Sequence, residues 1–185
     1  MPLTLDKNTA LVLIDLQHGT TSGELAQPLA EVAGRAAQLL AAFRAAGRPV
    51  VLVSVNPAGS AQSRIRTQAP ALPTQLPPSF EQLLPEITEQ PGDIRIHKQV
   101  WNAFYATPLH DELQRRGITG LVLAGVSASI GVEGTARAAA ERGYNVAFAT
   151  DAITDRVAAA QANSLQHIFP RLGQLATTAE VLALV

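Results

Sequence analysis

The stretch 121–137, LVLAGVSASIGVEGTAR, decides how this chain is read. Leu121 to Ala124 is a short apolar run of the kind that forms a buried strand, and Gly125 is expected to end it. Small residues follow, and a helix is expected from Ser129 or Ile130 to Arg142, stopped by Gly143. A strand that feeds directly into a helix N-terminus is where open α/β sheets place ligands. The first helical turn also has unpaired N–H groups.

The same alternation extends in both directions. Thr9 to Ile14 reads as a central buried strand that ends at Asp15. Pro28 to Ala46 is a helix closed by Gly47, and Pro49 to Val55 a second strand. Residues 56–78 are rich in Pro, Ser, Gln and Arg, and read as a long loop or lid. Phe80 to Leu84 is expected to form a short helix. Asp93 to His97 is a third strand nearer an edge, and Thr107 to Arg116 a helix with Pro108 at its first position. Beyond the deciding stretch come a strand at Asn145 to Thr150, a helix at Val157 to Ile168 broken by Pro170, and a short strand at Gln174 to Ala176. A last helix, Ala179 to Leu184, is expected to be capped by Thr178. Alternating strands and helices call for a mostly parallel sheet covered on both faces, a three-layer α/β/α fold in a single domain spanning 1–185.

Composition narrows the function. A hydrophobic content of 47% against 16% charged residues describes a folded globular chain. A net charge of −1 with no basic block speaks against nucleic acid as a partner. The chain has no cysteine, so neither a disulfide nor thiolate chemistry is available to it. No apolar run reaches the length of a membrane span and the N-terminus lacks the pattern of a signal peptide, so a cytoplasmic location and no membrane partner are expected.

Several residues stand where chemistry is placed. Asp15, at the carboxyl end of the first strand, is either an active-site carboxylate or a loop-ordering one, and Gln17 and His18 either assist it or hold the loop. Lys98, after the third strand, could hold a substrate anion or lower the pKa of a nearby carboxylate. His97 should face the opposite way and reads as structural. Trp101, Phe104 and Tyr105, with Asn102 among them, form either the wall of a pocket for a flat or cyclic substrate or a core plug. Arg64 and Arg66 close over an anionic substrate or solvate the loop. Ser127 and Ser129 are candidate nucleophiles, but GVSAS lacks the second glycine of the nucleophile elbow, and His110 and His167 fall in helices. No metal-ligand spacing and no dinucleotide fingerprint is present, so no metal and no cofactor is expected.

Taken together, ALVLIDLQ at 10–17, HKQVWNAFYATPL at 97–109, LVLAGVSASIGVEGTARAAAERGYNVAFATDA at 121–152 and TTAEVL at 177–182 resemble the isochorismatase-like hydrolases over nearly the whole chain. The resemblance implies a six-stranded parallel sheet, a homodimer or homotetramer, and a small-molecule substrate. The family's amidases, which include nicotinamidases and carbamoylhydrolases, use an Asp, a Lys and a Cys. Asp15 and Lys98 match the first two. The cysteine position, at the start of the helix after strand four, is Gly131. The family usually has a cis peptide in the bend near Val126–Ser127.

That departure separates two chemistries. Amide or nitrile hydrolysis in this family passes through a covalent thioester-type intermediate, for which glycine offers no nucleophile. The isochorismatases resemble this chain in lacking the cysteine. In them the Asp protonates an enol-pyruvyl double bond, water attacks the oxocarbenium carbon, and pyruvate leaves. The resemblance therefore implies Asp15 as general acid and Lys98 as its partner or the contact for a substrate carboxylate. Gln17, Trp101, Asn102, Phe104, Tyr105, Ser127, Ser129, Ile130 and Gly131 are then expected around an anionic, cyclic substrate. Two positions depart from isochorismatases: Ser127 stands where an aromatic is usual and Ser129 where a histidine is. VNPAGS after the second strand has none of the Asp and His pair of the metal-binding members. A binding protein that has lost catalysis and a serine-dependent amidase are the alternatives.

Overall fold

The computed structural model describes residues 2–58, 60, 67–68 and 75–185. Arg64 and Arg66, and most of the expected lid, lie outside the described residues.

Six strands form one sheet in which every neighbouring pair is parallel: β1 (Thr9–Ile14), β2 (Val50–Val55), β3 (Ile94–Lys98), β4 (Gly120–Val126), β5 (Asn145–Thr154) and β6 (Gly173–Ala176). The order is β3-β2-β1-β4-β5-β6. The two central strands are buried at every position, which is why they read as unbroken apolar runs rather than alternating ones. The helices are α1 (His18–Thr21), α2 (Leu29–Ala45), α3 (Leu109–Arg115), α4 (Glu133–Glu141), α5 (Ala158–Asn163), α6 (Phe169–Leu172) and α7 (Thr178–Leu182). α2 packs on β1, β5 and α7, while α4 packs on β5 and α6. None of the described helices is long and apolar enough to cross a membrane.

The strand order reverses between β1 and β4. In an open parallel sheet that reversal opens a crevice at the carboxyl ends of the two strands, because their crossovers leave to opposite sides. Asp15 follows β1 and the 127–132 turn follows β4, so the topology brings both to one crevice.

Several elements differ from the sequence expectation. Gly125 does not end β4; the strand runs through it to Val126. Its φ is +128°, and a Cβ there would lie 2.0 Å from the Ile14 carbonyl oxygen, so only glycine lets β4 approach β1 this closely. The helix after β4 begins with a wide π-type turn, Ala128–Val132, before α4. β5 runs four residues past the expected Thr150, with an irregularity opposite Leu123/Gly125. Pro170 does not break the last long helix. It sits in the first turn of α6, after a second π-type turn at Ser164–Ile168. The short helix expected at Phe80–Leu84 is a 3-10 turn at Pro78–Glu81. α7 is capped by Thr177, not Thr178, in a reciprocal box with Glu180. Thr178 instead donates its N–H and hydroxyl to Asp151.

Candidate functional site

Asp15 leaves β1 in the left-handed region, φ +52°, an uncommon conformation for a residue with a side chain. The loop it starts is pinned to it: the Gln17 N–H and the Thr20 hydroxyl both donate to the Asp15 carbonyl. The side chain is buried. Lys98, the last residue of β3, is buried as well, and its Nζ donates to Asp15 Oδ2 at 2.6 Å and to the Val100 carbonyl at 3.1 Å. His97, one residue earlier, points outward to Ser54 Oγ and Glu81, as strand alternation requires.

Asp15 Oδ1 is buried and accepts no hydrogen bond among the described residues. Burial pushes the carboxyl up from 3.8 to about 6, against the opposing pull of the Lys98 ammonium and, more weakly, of Arg95. The group therefore changes protonation within reach of neutral pH, which is the property a general acid needs.

Gly131 faces this pair. A Cβ built on it would stand 3.0 Å from Asp15 Oδ2, 3.1 Å from Ile14 Cγ2 and 3.2 Å from the Val126 carbonyl oxygen. The position that lacks a side chain is thus directly beside the acid. The peptide bond between Val126 and Ser127 is cis. The Ser127 carbonyl closes the turn by accepting N–H bonds from Ile130 and Val132.

The other expected site residues divide. Ser127 is half-buried in the turn and Ile130 is exposed at 39%, both close in sequence to Gly131. Ser129 gives its N–H and its hydroxyl, each at 2.8 Å, to the buried Asp155. No histidine or lysine is bonded to either serine among the described residues, so a base for a serine nucleophile is missing there. Trp101 and Tyr105 are 56% and 62% exposed. The segment that carries Trp101 runs against the first turn of α4, held by the Ala103 N–H on Thr135 Oγ1. Asn102 caps its own turn, accepting from the Phe104 N–H at 2.7 Å.

Two expected contacts have other work. Phe104 is buried, stacked on Tyr144 at 5.8 Å and covered by the Arg142 guanidinium, so its ring packs as a core plug. Gln17 holds the loop. Its amide is taken up entirely by backbone, donating to the Val55 and Phe80 carbonyls and accepting the Val55 N–H. It thereby fixes a strap, residues 78–87, across the end of the sheet. The strap also accepts the His18 N–H at the Gln82 carbonyl and donates the Leu84 N–H to the Leu16 carbonyl. The Phe80 ring lies so close on Gly19 that a Cβ there would sit 2.1 Å from it. An open cleft of about 400 Å³ on the strap, lined in part by Glu81, Glu89 and Arg95, includes neither Asp15 nor Lys98.

An isochorismatase domain matches residues 9–180. The chain belongs to the isochorismatase family. The family protein YecD of Escherichia coli O157:H7 is 41% identical over 179 residues, 95% of each chain. A solved isochorismatase family protein from Burkholderia thailandensis superposes with a TM-score of 0.91 at 40% identity, covering 97% of this chain and 96% of that one. Ureidoacrylate amidohydrolase RutB of Methylobacterium radiotolerans is 33% identical over 170 residues, 77% of this chain and 66% of its own. Within this family the present chain has no cysteine anywhere, so the nucleophile of the thiol-dependent members is missing.

Sequence reasoning overlooked Asp155 and Thr20. Asp155 lies five residues beyond the point where the fifth strand was expected to end. Extending that strand along AITD would have placed it at the same sheet edge as Asp15.

Proposed function

We propose that this family member hydrolyses a small enol ether, isochorismate or a relative of it, without a covalent enzyme intermediate. The observation that carries the reading is the Asp15 carboxyl: buried, one oxygen unpartnered among the described residues, pushed up to about 6, and set against Gly131 rather than a thiol. A carboxyl raised to about 6 keeps a protonated fraction near neutrality and can serve as an acid. Its proton goes to the terminal carbon of the enol double bond, leaving an oxocarbenium ion. Water adds to that cation and loses a proton, which restores Asp15. The hemiketal collapses to pyruvate and the free alcohol. Lys98 holds the carboxylate that Asp15 becomes after proton transfer, and so stabilises the charge that develops there.

The similarity to an amidohydrolase supports hydrolysis as the general class, but the amide route needs a nucleophile this turn does not offer. The test is pyruvate release from isochorismate, coupled to NADH oxidation by lactate dehydrogenase, run beside ammonia release from an amide and nitrile panel. Pyruvate release that disappears in Asp15→Asn is the expected result. Ammonia without pyruvate would overturn the reading in favour of an amidase with a different nucleophile. Neither product, with ligand binding retained in the variant, would mark a binding protein.

A further inference from the structure

The end of β5 carries a buried carboxylate that this mechanism does not use. Asp155 is 3% exposed. Its Oδ2 accepts the N–H and the hydroxyl of Ser129, both at 2.8 Å, and its Oδ1 accepts the Val157 N–H at 3.0 Å. Its own carbonyl accepts the Ala26 N–H at 2.8 Å, and the hydroxyl oxygen of the preceding Thr154 accepts the Gln27 N–H at 3.0 Å. Ser129 is part of the same five-residue turn as Gly131. Residues 26–27 close the loop that starts at Asp15. One short piece of chain thus holds the two segments that face each other across the crevice.

We propose that Asp155 is a positioning residue, a clasp that holds the 127–132 turn against the loop after β1 so that Gly131 stays in contact with the Asp15 carboxyl. The turn packs closely on that buried carboxyl: a Cβ built at 131 would stand 3.0 Å from Asp15 Oδ2. Releasing the turn opens that space. Asparagine at 155 keeps an acceptor for one bonding partner but presents its NH₂ to another N–H, so two donors oppose each other. Alanine at 129 is milder, removing the hydroxyl donor and leaving the N–H bond in place.

The proposal rests on Asp15 being the acid of the reaction, but its test does not need turnover. The Asp15 carboxyl is followed by ¹³C NMR across a pH titration of wild type, Asp155→Asn and Ser129→Ala, with Asp15→Asn to assign the signal. Circular dichroism checks the fold. In Asp155→Asn the midpoint is expected to fall toward the ordinary carboxylate range as water reaches the group. Pyruvate release is expected to drop roughly ten- to hundredfold in kcat, with KM changing less. Ser129→Ala shifts the midpoint the same way by a smaller amount. A helix cap without a positioning role would lower the melting temperature and leave the midpoint alone. An unchanged midpoint in folded Asp155→Asn, or in Ser129→Ala if Asp155→Asn does not fold, overturns the proposal. If wild type releases no pyruvate, the proposed reaction fails, and the carboxyl titration still decides the clasp.

Discussion

Lys98 Nζ stands 2.6 Å from Asp15 Oδ2, and neither side chain exposes more than 6% of its surface. Such a pair would ordinarily hold the carboxyl low. Here burial outweighs the cation and the carboxyl rises to about 6. A buried ion pair recovers its desolvation cost only with good geometry and satisfied remaining lone pairs, and Asp15 Oδ1 has no partner among the described residues.

The first consequence is a pH dependence of stability. The folded carboxyl binds its proton more tightly than the unfolded one, from 3.8 to about 6. Its contribution is therefore fully present below about pH 4 and is lost as pH rises through about 6. Asp15→Asn imitates the protonated form at every pH. The stability of Asp15→Asn relative to wild type should rise by on the order of 3 kcal/mol between pH 4 and pH 7.5. Urea denaturation at the two pH values measures this, and a difference that stays flat would show that the carboxyl is not raised.

The same group sets the rate. An acid that must carry its proton gives a kcat/KM for pyruvate release that declines above about pH 6. A pH–rate profile rising through that region would assign Asp15 the role of base.

Removing the cation isolates the burial effect. Lys98→Met leaves Asp15 buried and deletes the group that pulls its pKa down most. The carboxyl midpoint should move above 6, which ¹³C titration detects, and kcat should fall because the carboxylate formed by proton transfer has lost its partner. A midpoint that moves down would mean that water, not burial, dominates the site.

Gly131 can be tested with one methyl group. Gly131→Ala puts a Cβ 3.0 Å from Asp15 Oδ2 and 3.2 Å from a backbone oxygen. Overpacking of this kind costs about 1–3 kcal/mol, offset in part by the up to about 1 kcal/mol that alanine gains over glycine in a helix. Denaturant melts should show a net loss.

Gln17 is a buried amide with three backbone contacts. Gln17→Ala leaves the Val55 N–H and two carbonyls to find other partners, so a loss of about 2–4 kcal/mol is expected. Protease sensitivity should appear first in the 78–87 strap. A loss below about 1 kcal/mol would mean that solvent replaces the amide freely.

Much of this was legible in the sequence, because the signals were local. The apolar run before Asp15 and the alternation that turns Lys98 inward while His97 faces out both follow from strand periodicity. The significance of Gly131 comes from the resemblance to the family, whose cysteine position falls there when counted from Gly125. What escaped depended on where distant segments meet. Nothing near Gln17 announces that Val55 and Phe80 will surround it. Phe104 gave the same signal as Trp101 and Tyr105, and only the packing of Tyr144 and Arg142 separates it from them. Asp155 was hidden by a strand boundary: β5 runs past Thr150 along AIT, where irregular pairing with β4 replaces the clean apolar run used to recognise a strand. Pro170 misled because the π-type turn before it has no residue signature.

The Phe80 ring resting on Gly19 ties two positions that are far apart in the chain into one evolutionary unit. No side chain fits at 19 while phenylalanine stands at 80, so drift at 19 is blocked until 80 changes. Family members that carry alanine or anything larger at the first position should carry a smaller residue at the second. The pair is then a marker, readable in any alignment, of which relatives seat the strap on the loop after β1 in the way this chain does.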